Sequence, residues 1–162
     1  MHYATHAGAF VDDWTLDPDA TGGRSSRHIV LDLEAWRVAT AGGTAAALLL
    51  DGATAIEDLA IDPARCALVA VAFSHFTDGR GYSLARLLRR NGVACDLRAV
   101  GDVRPDQVFA LARCGFSSFG AADVASARQL ASRLADFSAV YQPAADDRVP
   151  IPALRRLRRA SG

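Results

Sequence analysis

The sequence predicts an α/β domain built on a parallel sheet, and three observations carry that expectation. Apolar runs centred near residues 48, 70, 98 and 118 recur at intervals of roughly 20–30 residues, the spacing of consecutive right-handed βα units. A helical period fills the gaps between them. The longest run, Ala67-Leu68-Val69-Ala70-Val71-Ala72-Phe73, is apolar without alternation, as a strand buried on both faces requires. Four such units make either an open doubly wound sheet or half of a βα barrel. Periodicity does not choose between the two. At 162 residues, 51% of them apolar, the chain is a single domain that needs neither metal nor disulfide to hold a core.

The elements follow in order. Residues 1–27, rich in Gly, Asp, Thr and Ser, read as an N-terminal arm with a short strand around Phe10–Leu16. The α/β domain spans 28–142. Ile29-Val30-Leu31 is a short apolar run, Leu33, Trp36 and Arg37 make a helical turn, and Gly42-Gly43 ends it. A strand is expected over Ala45–Leu50, closed by Asp51-Gly52, then a short helix over Thr54–Leu59. After the long strand, a helix from Ser83 to Asn91 turns Leu84, Leu87 and Leu88 inward and Arg86, Arg89 and Arg90 outward. Cys95–Val100 is the third strand, and Pro105 opens the following helix, with Val108, Leu111 and Ala112 inward and Gly115 as its stop. Phe116–Phe119 is the fourth strand. Asp123 caps a last helix whose inward face is Ala127, Leu130, Ala131 and Leu134. Residues 143–162 form a polar, Pro- and Arg-rich tail or docking helix. Phe10, Trp14 and Trp36 fit no four-unit core and are expected to cover an interface.

Composition excludes several chemistries. All 18 basic residues are Arg, so a Schiff-base lysine, a P-loop lysine and any lysine acid or base are ruled out. Cys66, Cys95 and Cys114 lie far apart in sequence, outside any CxxC or Cys/His cluster, and read as reduced thiols. They supply too few ligands for a zinc or iron–sulfur site, so no metal is expected. Zero formal charge advertises neither nucleic acid nor an anionic membrane. No stretch approaches the roughly 20 apolar residues of a bilayer span. The opening residues lack a basic stretch leading into an apolar one, so a cytoplasmic location is expected.

Ligands in parallel α/β sheets gather beyond the carboxyl ends of the strands. The richest segment there is Phe76-Thr77-Asp78-Gly79-Arg80-Gly81-Tyr82-Ser83. Two glycines flank an arginine just before a helix, so backbone N–H groups, the helix dipole and a guanidinium converge as an anion site would need. Thr77, Gly79, Arg80, Gly81, Tyr82, Ser83, Arg86 and the adjacent His75 are the candidate ligand-binding residues. A structural turn with Asp78 paired to Arg80 or Arg86 explains the same residues. Asp78 and Asp102 are the candidate catalytic carboxylates, and capping the next helix is the plain alternative for Asp102. Cys114, at a helix C-terminus, is at the wrong end of the dipole for activation and reads as core. No Ser-His-Asp or Cys-His set assembles, and no cofactor fingerprint is present.

Taken together, Phe73, the Phe76–Ser83 block, Ala85-Arg86-Leu87-Leu88-Arg89, Leu97-Arg98-Ala99-Val100-Gly101-Asp102-Val103, Asp106-Gln107, Arg113-Cys114-Gly115-Phe116, Phe137-Ser138 and Tyr141-Gln142 resemble the bacterial domain of unknown function family 934. The likeness runs over roughly residues 28–142. One departure is visible: Ser74-His75 stands where relatives are expected to carry Pro-Lys. The resemblance implies a part in assimilatory sulfite reduction, often labelled an oxidoreductase role, while leaving cofactor and electron donor open. Three functions follow. The first is an auxiliary protein that engages sulfite reductase, its siroheme or a small anionic ligand through the 77–83 loop. The second is an enzyme with a strand-end site, Asp78 or Asp102 as general base and Arg80 as clamp. The third is a non-catalytic homodimeric assembly module.

Overall fold

The computed structural model describes residues 1–16, 29–55, 61–146 and 148–160. The helix expected over Thr54–Leu59 lies, from position 56 on, outside the described residues, as does most of the arm after Leu16. Eight strands form one sheet: β1 (His2–Thr5), β2 (Gly8–Val11), β3 (Thr15–Leu16), β4 (Ile29–Leu31), β5 (Ala46–Asp51), β6 (Cys66–Phe73), β7 (Asp96–Gly101) and β8 (Ser118–Ala121). Their order is β2-β1-β8-β7-β6-β5-β4-β3. From β3 to β8 every strand lies parallel beside its predecessor. The order never reverses, so the sheet has the winding of a half barrel and lacks the switch point of a doubly wound fold.

Helices α1 (Leu33–Thr40), α2 (Arg80–Arg90), α3 (Val108–Arg113) and α4 (Val124–Leu134) all pack on one face. Trp36, Leu84, Leu88, Leu111, Leu130 and Leu134 meet Leu48, Val69, Val71, Phe73, Leu97 and Phe119 there. The other face carries a smaller cluster, Val30, Ala47, Leu68, Ala70 and Val100, with Trp14 packed against it. β6 therefore buries both faces, Val69, Val71 and Phe73 towards the helices and Leu68 and Ala70 away. That is why its run does not alternate.

Three expectations are corrected. The segment read as an arm supplies β1 and β2, a hairpin that joins antiparallel to β8, and β3 on the opposite edge. Arg98 staples this hairpin down. Arg98 is 2% exposed, and its guanidinium donates to Asp12 (2.6 Å), Asp96 (2.8 Å) and Ser118 (2.9 Å) and lies 4.0 Å from the Tyr3 ring centre. A buried cation needs that full set of partners. Trp36 covers no interface: it is buried under α1, and its indole N–H donates to the carbonyl of Ala46. Pro105 does not open α3, because a turn closed by Gln107 N–H on the Arg104 carbonyl comes between them.

The C-terminal segment is strapped on before it becomes a helix. Arg113 pairs with Asp146 (2.5 Å) and donates to the Gln142 carbonyl, and Arg148 donates to the carbonyls of Phe137 and Leu134. The chain then closes with α5 (Ile151–Ala160), on which Leu154 and Leu157 are exposed. No helix among the described residues is long and apolar enough to cross a membrane.

Candidate functional site

The site is set by how closely three segments approach the carboxyl end of β6. Gly81 lies against the Phe73 ring, so a Cβ there would fall 2.5 Å from a ring carbon. Gly101 has φ +90°, and its Cβ would meet the Phe73 carbonyl oxygen at 2.4 Å. Only glycine permits either contact. Helix α2 and the end of β7 are thereby drawn onto one strand end. Tyr82 adds an edge-on ring contact to Phe73, and burial raises its phenol pKa.

Helix α2 begins at Arg80 rather than Ser83, so Gly81, Tyr82 and Ser83 belong to its first turn. The reason is Asp78. Its carboxylate accepts the Arg80 backbone N–H (3.1 Å) and both Nε (2.9 Å) and Nη2 (2.7 Å) of the Arg80 guanidinium. The anion that the helix N-terminus would attract is supplied by the chain itself. The Arg80 guanidinium and backbone N–H hold the Asp78 carboxyl down at about 2, well below the ordinary range. A carboxylate so stabilised is a weak proton acceptor near neutrality. One edge of the guanidinium is engaged; among the described residues its other donors have no hydrogen-bond partner, and the side chain is 63% exposed.

The neighbouring loop locks onto the first. Asp102 accepts the Phe76 N–H (3.0 Å), and the Gln107 side chain donates to the Phe76 carbonyl (2.6 Å). Arg104 lies over the Phe76 ring at 3.4 Å and 3.8 Å from the Asp102 carboxylate. Asp102 therefore neither caps α3 nor stands free; it holds the loop of the adjacent strand. Both backbone groups of Phe76 are thus satisfied from 26 and 31 residues away.

The other expected residues fall into place around this latch. His75, Thr77, Ser83 and Arg86 are exposed, and His75 offers its carbonyl to the Asp78 N–H (3.0 Å). Gly79 is the N-cap of α2. The structure brings together His75, Asp78, Arg80 and, through Phe76, Asp102; Arg86 stands two turns along α2. A cleft of about 440 Å³ opens beside Asp102, between Gly101–Pro105 and Gly120–Gln129, and does not include the 77–83 loop. Gln107 and Arg104 carried no assigned role in the sequence. Their partner, Phe76, becomes adjacent only once β6 and β7 pair.

The Asp78 pair has a testable pH signature. A carboxyl with a lowered folded pKa stabilises the fold above its unfolded pKa of about 3.9, and that contribution is lost as pH falls through the folded value. Carboxyl NMR titration is expected to place the Asp78 midpoint at about 2 and to return it towards the ordinary range in Arg80→Ala. An unmoved midpoint in that variant would contradict the pairing.

No curated protein matches the chain. The family model described as "bacterial protein of unknown function (DUF934)" matches residues 47–152, which contain both latched loops and helices α2 to α4. On that match over more than half of its length, the chain belongs to the DUF934 family of bacterial proteins.

Proposed function

We propose that the protein is a non-catalytic auxiliary of assimilatory sulfite reduction that docks on an anionic surface of sulfite reductase through the 77–83 loop and the start of α2. The observation that carries this reading is the closed Asp78–Arg80 pair. With its charge matched by Asp78, Arg80 draws a free anion only weakly, yet it is held rigid with one donor edge facing out. Such a preorganised donor suits a partner's carboxylate or phosphate better than a lone small anion. Arg86 and Arg90, one turn apart, add two more exposed cations to α2. Asp78 and Asp102 support catalysis less well, since each carboxylate is already an acceptor for the fold.

A second reading, homodimerisation, rests on the sheet edge. Among the described residues β2 has no outer neighbour in the sheet, and Phe10 and Val11 on it are 42% and 62% exposed. An apolar open edge is a template for pairing with a second copy.

Calorimetric titration against purified sulfite reductase tests the first reading. Saturable binding that weakens with salt is expected, with Arg80→Ala and Arg86→Ala each lowering affinity roughly two- to fivefold. Sulfite, sulfate and phosphate alone are expected to give no saturable heat. Absence of binding to the reductase at low salt would overturn the docking, and tight sulfite binding lost in Arg80→Ala would assign the loop to a small ligand instead. Light scattering tests the second: twice the chain mass, reduced to one in Val11→Lys, is the expected result, and a monomer at high concentration removes it.

A further inference from the structure

The three cysteines are scattered in sequence, but the fold brings two of them together at the end of the sheet opposite the latched loops. Cys66 opens β6, and Cys95 immediately precedes β7. These strands pair in parallel, with Leu68 opposite Asp96, so the cysteines stand on adjoining strands at the same end of the ladder. Continuing that register sets Ala67 across from Cys95 and Cys66 one residue further; with strands about 4.8 Å apart and a rise of about 3.3 Å per residue, such an offset pair still falls within the roughly 4.4–6.8 Å that a disulfide spans between Cα atoms. Both side chains lie on the helix side of the sheet, Cys66 inside the core cluster and Cys95 packed against it. Both are free.

The pair is asymmetric. Cys66 is buried in the helix-side core, and its sulfur also reaches the Asp62 carbonyl (3.6 Å). Cys95 is half-buried, so a reagent reaches it first. Arg89 donates to the Cys95 carbonyl (2.8 Å), which sets a guanidinium beside that residue. The neighbouring Cys66 thiol, together with the Arg89 charge, lowers the Cys95 thiol pKa, whereas the neighbouring Cys95 thiol and burial raise that of Cys66. One sulfur is thus suited to attack and the other to follow.

We infer that Cys66 and Cys95 are a redox-active dithiol that closes to a disulfide by exchange with a low-molecular-weight disulfide of the glutathione type. The Cys95 thiolate attacks one sulfur of the small disulfide, forming a mixed disulfide as that S–S bond breaks and one thiolate leaves. The departing thiolate takes the Cys66 proton, and the Cys66 thiolate then attacks the Cys95 sulfur and expels the second thiolate, which takes up from water the proton that Cys95 released on ionising. Two electrons and two protons pass from the protein to the small disulfide, which becomes two thiols. The new bond ties β6 to β7 at their starts. Cys114, which caps the far end of α3 and whose thiol pKa burial raises, has no part in the exchange.

The test equilibrates the native full-length chain with glutathione buffers of rising disulfide content, quenches in acid, alkylates free thiols and reads the intact mass. Two of the three thiols are expected to disappear together, leaving one alkylated site at Cys114 and a proteolytic peptide joining Cys66 to Cys95. Cys66→Ser is expected to stop at a stable glutathione adduct on Cys95. Retention of three alkylatable thiols across the series overturns the inference, as does a wild-type adduct on Cys95 that never resolves. The wild-type mass alone decides between these outcomes, so the inference does not depend on the variant folding.

Discussion

The strand-end architecture depends on the absence of two Cβ atoms at the end of β6. Gly81 leaves room for the Phe73 ring and Gly101 for the Phe73 carbonyl, and an added methyl group would collide with each at 2.5 and 2.4 Å. Overpacking at such contacts typically costs about 1–3 kcal/mol, and Gly101 adds a positive φ that other residues adopt only under strain. These contacts bring the first turn of α2 and the loop after β7 to one point. Only from that approach can Asp102 and Gln107 reach the backbone of Phe76, and Arg104 its ring. The motif that resembles a ligand loop is, in its first role, a set of matched loops.

Electrostatics follow the same pattern at both ends of the functional argument. At the carboxyl end, Asp78 satisfies the α2 N-terminus and one edge of Arg80, so the helix dipole acts on a residue of the chain. On the face away from the helices, Arg98 is enclosed by Asp12, Asp96 and Ser118 and fixes the N-terminal hairpin to the sheet. Each cation is held by its own carboxylates. What differs is exposure: Arg98 is sealed in, whereas the Arg80 side chain is 63% exposed, which is why the proposed docking is placed on Arg80.

Regular elements were legible where burial wrote a period. The β6 run, the inward faces of α3 and α4, the Asp123 cap and the stop at Gly115 all appear in the structure as the residues suggest. The N-terminal hairpin was not, because its four-residue strands carry Gly, Ala and Thr instead of an apolar alternation. Trp36 was misplaced because the α1 turn holds too few apolar neighbours to show which face is inward. In the site, the Asp78–Arg80 pair was among the alternatives that two residues of separation allow. The Phe76 latch and the Cys66–Cys95 contact were hidden for a shared reason: both join residues about 30 positions apart, and only the parallel pairing of β6 with β7 makes them neighbours.

The account turns on the loops after β6 and β7 being one locked unit, and native-state amide hydrogen exchange at Phe76 tests that most directly. Phe76 is an exposed loop residue whose N–H has, among the described residues, a single partner, the Asp102 carboxylate. Exchange at this amide is predicted to be protected in the wild type and to lose that protection in Asp102→Ala, with the interior amides of Val71 and Ala99 unchanged. A Phe76 amide that exchanges in the wild type as fast as an unstructured one would contradict the latch.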